Sequence, residues 1–199
     1  MNNMKALIKK DFLFSIKWLP VFLIISVALP IYGASFAEAN MFSLPIAALS
    51  SAVVIAVLLY LSAICHLEDN PETDGLLGSL PLARKSRVLA RYAACLALIA
   101  ASLVIAVSAF AIAGSGMTAA DVLWTATIAV IHYAIFLYVF FKSGLQVAQY
   151  VPCALILGAV IAIKTDFIME LAMPAGLEYA AFVAAVVVFL FSAKTCAEE

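Results

Sequence analysis

Six apolar stretches, separated by short polar segments, account for most of this 199-residue chain. Each stretch is close to the roughly 20 residues that a helix needs to cross the hydrocarbon core of a bilayer. The lengths therefore predict six membrane-spanning helices. Their predicted bounds are residues 18–35, 43–65, 88–113, 122–141, 145–163 and 175–193.

The fourth and fifth stretches form one almost continuous apolar run over residues 122–163. At about 42 residues, this run is twice the length of a single span. Its one clustered interruption consists of Lys142, Ser143, Gly144, Gln146 and Gln149. We therefore predict a tight hairpin at Lys142–Gly144 that joins two antiparallel spans.

The composition agrees with a membrane protein. Hydrophobic residues make up 67% of the chain and charged residues 12%, whereas soluble domains are about half apolar and a quarter charged. A soluble core of this size has no room for so much apolar surface. The expected fold class is an all-α integral membrane protein, in which residues 1–199 form a single transmembrane domain.

The positions of the basic residues predict the orientation. Six spans place both termini on one side of the membrane. If that side is the cytoplasm, Lys164 is the only one of the 11 lysines and arginines outside. Because basic loops stay in the cytoplasm, we expect cytoplasmic N- and C-termini. The net charge of −1 gives no indication of nucleic-acid binding.

The N-terminal residues 4–16 place apolar side chains at helical spacing, with lysines beside that stripe. The lysines are Lys5, Lys9 and Lys10. This pattern predicts an amphipathic helix on the membrane surface. A plain basic anchor for the first span is the alternative interpretation.

The loop between spans two and three holds acidic residues first and basic residues second. Asn70 and Pro71 form a typical helix start, and Pro81 ends the segment, so residues 71–80 are predicted to form a short helix. Such a helix is marginal alone and needs a membrane surface or a partner. The basic half of the loop is predicted to fix the orientation and to contact anionic headgroups. Its cations are Arg84, Lys85, Arg87 and Arg91. A loop that serves topology and solubility alone is the simpler alternative.

Sequence motifs for catalysis are not found in the chain. The segment GSLPLARKS lacks the spacing of a phosphate-binding loop. Metalloprotease and serine-hydrolase motifs are missing as well, and the four cysteines have no metal-ligand spacing. We therefore expect no enzyme activity, metal or cofactor on this chain.

Three polar residues within the spans are candidates for a transport pathway. His132 lies near the middle of span four, where an ionisable group is a functional candidate by default. It can equally form a hydrogen bond between helices. Gln146 and Gln149 lie one turn apart in span five, and for them too, lining a pathway and bonding between helices both stay open.

Four features resemble the small six-span permease subunits of ABC-2-type bacterial exporters. They are the start MKALIKKDF, the loop ETDGLLGSLPLARKSRVLARY, the turn FFKSGLQVAQYVP and the six-span layout. The similarity includes the group that exports phenol-soluble modulin peptides. Ala83 and Ser86 depart from the family pattern, in which a capping arrangement surrounds the basic pair.

The resemblance implies a permease that moves a hydrophobic or amphipathic substrate, for example a peptide, out of a bacterial cell through the plasma membrane. It also implies a second, identical or related permease subunit, and a separate ATP-binding subunit that holds ATP and Mg²⁺. The loop would carry a coupling helix that contacts this ATPase. The residues in that role are Asp69, Pro71, Glu72, Asp74, Leu76 and Leu77. The first alternative is a non-transporting membrane accessory or immunity protein. An intramembrane enzyme is the second and weaker alternative.

Overall fold

A computed structural model shows a bundle of long helices. It describes residues 13, 15–36, 45–68, 84–114, 117–155 and 176–198. Within these ranges no strand occurs. A short 3-10 turn, Ile16–Trp18, leads into the first helix. The long helices are α1 (Leu19–Phe36), α2 (Pro45–Glu68), α3 (Arg84–Ile112), α4 (Ala119–Ala148) and α5 (Leu177–Glu198).

All five helices are long and apolar enough to cross a membrane. They correspond to the first four and the last of the predicted spans. α3 begins earlier than the predicted span, at Arg84, because its basic residues continue the helix. Of the predicted fifth span, 145–163, only residues up to 155 are described. This span, and with it the total of six crossings, stays a prediction.

α4 begins with a capping box. The Thr118 hydroxyl accepts a hydrogen bond from the Asp121 backbone N–H at 3.3 Å, and the Asp121 carboxylate accepts one from the Thr118 N–H at 2.7 Å. The two bonds satisfy backbone donors that a helix start leaves free. The sequence thereby fixes where α4 starts.

The course of α4 breaks at Gly144, whose φ of 81° and ψ of 174° are not helical. Glycine tolerates this conformation because it lacks a Cβ. Lys142 and Ser143 remain within α4. The helix therefore breaks at one residue of the predicted turn, Gly144, whereas the predicted hairpin between two antiparallel spans stays a prediction.

α2 and α4 lie at the centre of the bundle and are the most buried of the helices. Hydrogen bonds join α4 to α2 and α1 to α3. The Tyr133 hydroxyl donates to the Val54 carbonyl oxygen, and the hydroxyls of Ser26 and Ser102 lie 3.1 Å apart. Hydroxyl bonds of this kind are typical of helix contacts within membranes.

α1 and α5 are the least buried helices. Large apolar side chains on both point outward, such as Ile24 on α1 and Phe191 on α5, which are 63% and 70% exposed. In water such surfaces would be costly. In a bilayer they face lipid, which agrees with the membrane class predicted from composition.

Candidate functional site

Several chain segments converge at one end of the bundle. The turn just before α1, the end of α2 and the segment after the α4 break line a common cavity, to which Trp18, His66 and Gln149 contribute. Tyr92, near the start of α3, stacks on Phe141, near the end of α4, with ring centroids 6.2 Å apart. Successive helices from α1 to α4 therefore run in alternating directions.

α5 also ends there. The ring of Tyr92 packs edge-on against Phe189 at 5.0 Å, while its hydroxyl is hydrogen-bonded to Ser192 at 2.6 Å and lies 3.7 Å from the Cys196 sulfur. A helical side chain tilts toward the start of its own helix, so the hydroxyl lies nearer the start of α3 than the ring. We call this end, where every described lysine and arginine lies, the basic end. Its cations are Lys17, Arg84, Lys85, Arg87, Arg91, Lys142 and Lys194.

The cavity at the basic end has a volume of about 350 Å³ and is open to the surroundings. Its lining residues are Trp18, Leu59, Ser62, Ala63, His66, Leu145, Gln146 and Gln149. Only His66 among them is ionisable. The cavity therefore combines apolar surface with neutral hydrogen-bonding groups, which suits a ligand that is partly apolar and partly polar.

The segment after Gly144 contributes one wall of the cavity. Leu145 and Ala148 are buried against the bundle, at 5% and 0% exposure. Gln146 and Gln149 are exposed and border the cavity. The three-residue spacing of both pairs is helical. The change of direction at Gly144 thus sets the glutamine pair beside α2.

The opposite wall is one face of the end of α2, which the sequence alone did not reveal as a site. Leu59, Ser62, Ala63 and His66 recur at the helical spacing of three, four and seven residues. The Ser62 hydroxyl donates to the Leu59 carbonyl oxygen at 3.1 Å. This run of small and polar residues at the end of an apolar helix is the sequence signal from which this wall of the cavity could have been predicted.

Arg91 corrects a sequence-based expectation. We expected it to act with the other cations of the loop as a surface charge, yet it is 2% exposed. Its neighbours Val88, Tyr92 and Cys95 form the buried face of α3, and helical spacing from Val88 and Cys95 would have placed Arg91 with them. A buried guanidinium must be compensated to be tolerated, so Arg91 belongs to the interior of the basic end.

His132 lies away from the cavity, in the central part of α4. It is 4% exposed, and its ring contacts Tyr133 edge-on at 5.0 Å. The break at Gly144, after which Gln146 follows, is about 18 Å from His132 along α4 at 1.5 Å per helical residue. The structure therefore brings together two of the three predicted pathway residues, Gln146 and Gln149, but not His132.

Comparison with known families gives one match that covers nearly the whole chain. Residues 6–194 match the family described as ABC-2 family transporter protein. The chain belongs to the ABC-2 family of transporter proteins. Comparisons with curated proteins and with solved structures found no match.

Family membership confirms the resemblance seen in the sequence. This ABC-2 family protein is a multi-pass membrane protein and a component of a transporter, and membership implies an ABC ATP-binding partner. The more specific likeness to phenol-soluble modulin exporters stays a prediction.

Two predicted elements of this ABC-2 protein lie outside the described residues. One is the N-terminal surface helix with Lys5, Lys9 and Lys10. The other is the coupling helix. Its predicted residues are Asp69, Pro71, Glu72, Asp74, Leu76 and Leu77. The described ends of the flanking helices, α2 and α3, lie at the basic end, so the loop that joins them starts and finishes there.

Proposed function

We propose that this chain is the membrane-spanning permease subunit of an ATP-driven ABC-2-type exporter. It moves a hydrophobic or amphipathic substrate, such as a peptide, out of a bacterial cell across the plasma membrane. ATP and Mg²⁺ bind to a separate ATP-binding subunit, and a second permease subunit, identical or related, completes the pathway. This chain itself holds no cofactor.

The cavity at the basic end is the observation that carries the proposal. Trp18 and Leu59 give it apolar walls, at 40% and 36% exposure, while Gln146 and Gln149 offer amide groups. An amphipathic molecule in the membrane interface presents the same two kinds of surface. The cavity thus has the chemistry of an entry site for such a substrate.

The orientation follows from the charges. Basic residues next to membrane spans are retained in the cytoplasm, and all described cations lie at the basic end. The basic end is therefore the cytoplasmic side, with both termini, and the cavity opens toward the inner leaflet and the cytoplasm.

The directions of α4 and α5 support a sixth crossing. α4 ends at the basic end, whereas α5 begins at the opposite end, about 33 Å away for its 22 residues. Residues 150–155 are helical, and they continue from the α4 break. A span over the predicted range 145–163 accounts for the return of the chain.

Energy transfer is assigned to the loop between α2 and α3. Its acidic and leucine-rich segment serves as the coupling helix on the ATPase. Movement of this loop acts directly on the end of α2, and His66 and Ser62 at that end line the cavity. ATP binding and hydrolysis would thus change the width of the cavity.

Reconstitution tests the transport function. The chain and its ABC ATP-binding partner are placed in liposomes, and ATP-dependent movement of a fluorescently labelled amphipathic helical peptide is followed. Replacing both Gln146 and Gln149 by Leu removes two neutral hydrogen-bonding groups, so we expect transport to fall about fivefold, at roughly 1 kcal/mol for the pair. Val147→Leu is the matched control, because Val147 is 47% exposed on the same segment but does not line the cavity.

Equal transport by the glutamine double variant and the Val147→Leu control would remove the cavity from the pathway. Transport that is independent of ATP would contradict the exporter assignment itself.

Co-purification tests the coupling helix separately. Exchanging Leu76 and Leu77 for Asp should release the ATPase while the permease still inserts into the membrane. An ATPase that stays bound would show that these leucines do not form the contact.

A further inference from the structure

The end of α2 places an acidic residue on its inner side. Glu68 is the last residue of α2, and it follows Cys65 and Ile64, which are 0% and 3% exposed, by three and four positions. Residues at these spacings share one side of a helix. His66, which lines the cavity, is about 200° away around the helix at 100° per residue. Position 68 therefore continues the inner face of α2, on the side away from the cavity.

The level of Arg91 along the bundle axis follows from a contact between α1 and α3. The hydroxyls of Ser26 and Ser102 lie 3.1 Å apart, so these two residues share one level. Arg91 comes 11 residues before Ser102. At 1.5 Å per residue it lies about 17 Å from the serine pair, toward the basic end.

The level of Glu68 follows from the contact between α1 and α2. The two helices approach closely where Gly33 faces Ala48. Gly33 lies about 10 Å beyond Ser26, away from the basic end, and Glu68 lies about 30 Å from Ala48 in the opposite direction. Glu68 is therefore about 20 Å from the serine pair. It is within about 3 Å of the level of Arg91.

A buried pair of thiols shows that these inner faces of α2 and α3 meet. The Cys95 thiol of α3 interacts electrostatically with the Cys65 thiol of α2 and with the Arg91 guanidinium. Both cysteines and Arg91 are almost completely buried. Position 68 is one turn beyond Cys65 toward the basic end, and Arg91 is one turn before Cys95 in the same direction. The two positions are therefore neighbours across the same contact.

The position of the acids points to the same residue. A buried guanidinium requires compensation by a partner. Within the described ranges the acidic residues are Glu68, Asp121, Glu178 and Glu198. Asp121 and Glu178 lie in the first turns of α4 and α5, at the other end of the bundle. Glu198 is exposed and bridges a lysine one turn away at 3.9 Å. Among these acids, Glu68 is the one at the level of Arg91.

We propose that Glu68 and Arg91 form an interior ion pair that ties the end of α2 to the start of α3. The Glu68 side chain itself lies outside the described part of the chain. Side chains tilt toward the start of their own helix. Because α2 and α3 run in opposite directions, long side chains at positions 68 and 91 tilt toward each other. An arginine and a carboxylate can then form two parallel hydrogen bonds.

The ion pair closes the base of the loop between α2 and α3. It also connects α3 to the cavity, because the end of α2 carries Glu68 on one side and His66 on nearly the opposite side. A displacement of the start of α3 would therefore move the cavity wall. This use in energy transfer rests on the proposed function. The ion pair does not, and it is tested without ATP, ATPase or cargo.

A double-mutant cycle on the full chain tests the ion pair. Glu68→Gln and Arg91→Gln each leave one buried charge without its counter-charge. We expect either to raise the equilibrium constant for unfolding in SDS mixed micelles by at least about a hundredfold. The double variant removes both charges. Its unfolding constant should therefore lie at least about tenfold below the product of the two single effects.

Lys85→Gln is the matched control, because Lys85 is an exposed cation of α3 about 120° from Arg91 around the helix. Its effect should multiply with that of Glu68→Gln. The acids of the loop are combined with Arg91→Gln in the same way. Their substitutions are Asp69→Asn, Glu72→Gln and Asp74→Asn. A simple product for positions 68 and 91, or a stronger coupling of position 91 to one of the loop acids, would overturn the proposal.

A second measurement keeps both charges, in case the single variants do not insert. With Arg84 and Arg87 replaced by Lys, Arg91 is the one arginine left, so ¹⁵N-arginine labelling reports its guanidinium alone. Solid-state NMR distance measurement to ¹³C-labelled glutamate carboxyl groups should give about 4 Å, as a direct hydrogen bond requires. The signal should persist after Glu72→Gln. Its loss in that variant, or no carboxyl carbon within about 5 Å, would overturn the pairing with Glu68.

Discussion

The close approach of α1 and α2 at Gly33 gives a quantitative prediction for packing. A Cβ added at Gly33 would lie 2.5 Å from the Cβ of Ala48, whereas carbon atoms pack at about 3.5–4.0 Å. The helices must therefore separate by about 1 Å to accept Gly33→Ala, and such overpacking costs about 1–3 kcal/mol. Alanine is a better helix former than glycine by about 1 kcal/mol, so the net loss is about 0–2 kcal/mol.

The compensating substitution makes the prediction sharper. Ala48→Gly alone loses helix propensity and one buried methyl group, about 1–2 kcal/mol together. In the double variant the methyl group is moved from position 48 on α2 to position 33 on α1. The nearest remaining atom, the Ala48 Cα, lies at 3.6 Å from the new Cβ, which is an ordinary contact. We expect the double variant to be as stable as the native chain within about 0.5 kcal/mol, with a coupling energy of about 1–4 kcal/mol.

Unfolding in mixed micelles, with increasing SDS and a spectroscopic helix signal, measures the four free energies of the cycle. Ala56→Gly serves as the control, because Ala56 is a fully buried alanine of α2 further along the helix. Its effect should simply add to that of Gly33→Ala. A coupling energy between positions 33 and 48 below about 0.3 kcal/mol, equal to the control, would refute the close approach.

Three further outcomes follow from single side chains. Tyr92→Phe should lower the free energy of unfolding by about 0.5–1.5 kcal/mol in the same titration, because it removes the bond to Ser192; an unchanged value would show that this bond adds nothing net. Thr118→Ala should lower the free energy of unfolding by about 1 kcal/mol because it removes the helix cap, whereas Thr118→Ser keeps a hydroxyl and should retain most of that stability. Equal losses in the two variants would argue against the cap. Gly144→Ala should cost about 1–3 kcal/mol, because alanine is strained at a φ of 81°. It should also reduce peptide transport in liposomes by moving the glutamine pair; full transport in this variant would contradict the role of the break.

Most of the helical framework could be predicted from the sequence. The thickness of the hydrocarbon core sets the length of a span, so uninterrupted apolar runs such as 43–65 and 88–113 correspond closely to α2 and α3. Glycine in a polar interruption marked the break at Gly144. These signals work because they depend on local composition and not on contacts between distant residues.

The inner and outer faces of the spans were much harder to predict. In lipid both faces of a helix are apolar, so the usual amphipathic signal is lost. Phe22 and Ile24 on α1 are similar in hydrophobicity, yet they are 3% and 63% exposed. For the same reason the burial of Arg91 was missed, since its charge pointed to the surface and only its helical spacing pointed inward.

The candidate site was predicted in part. Gln146 and Gln149 were identified because amides are unusual within a span, and they do line the cavity at the basic end. Their partners on α2, including Ser62 and His66, lie about 80 positions away in the chain and have no common sequence motif. His132 was grouped with the glutamines on polarity alone, although the structure separates it from them.

The sequence alone determined that this chain crosses a membrane, where five of its spans lie and next to which span ends its cations gather. These properties follow from the length of the apolar runs and the placement of charge. The thickness of the bilayer selects the first, and basic residues that stay in the cytoplasm set the orientation. Only the tertiary structure decided that Trp18, the end of α2 and the segment after Gly144 line one open cavity, and that Arg91 is buried. Those outcomes depend on how helices of nearly uniform hydrophobicity pack against each other, and packing is set by side-chain shape and hydrogen bonds between residues far apart in the sequence.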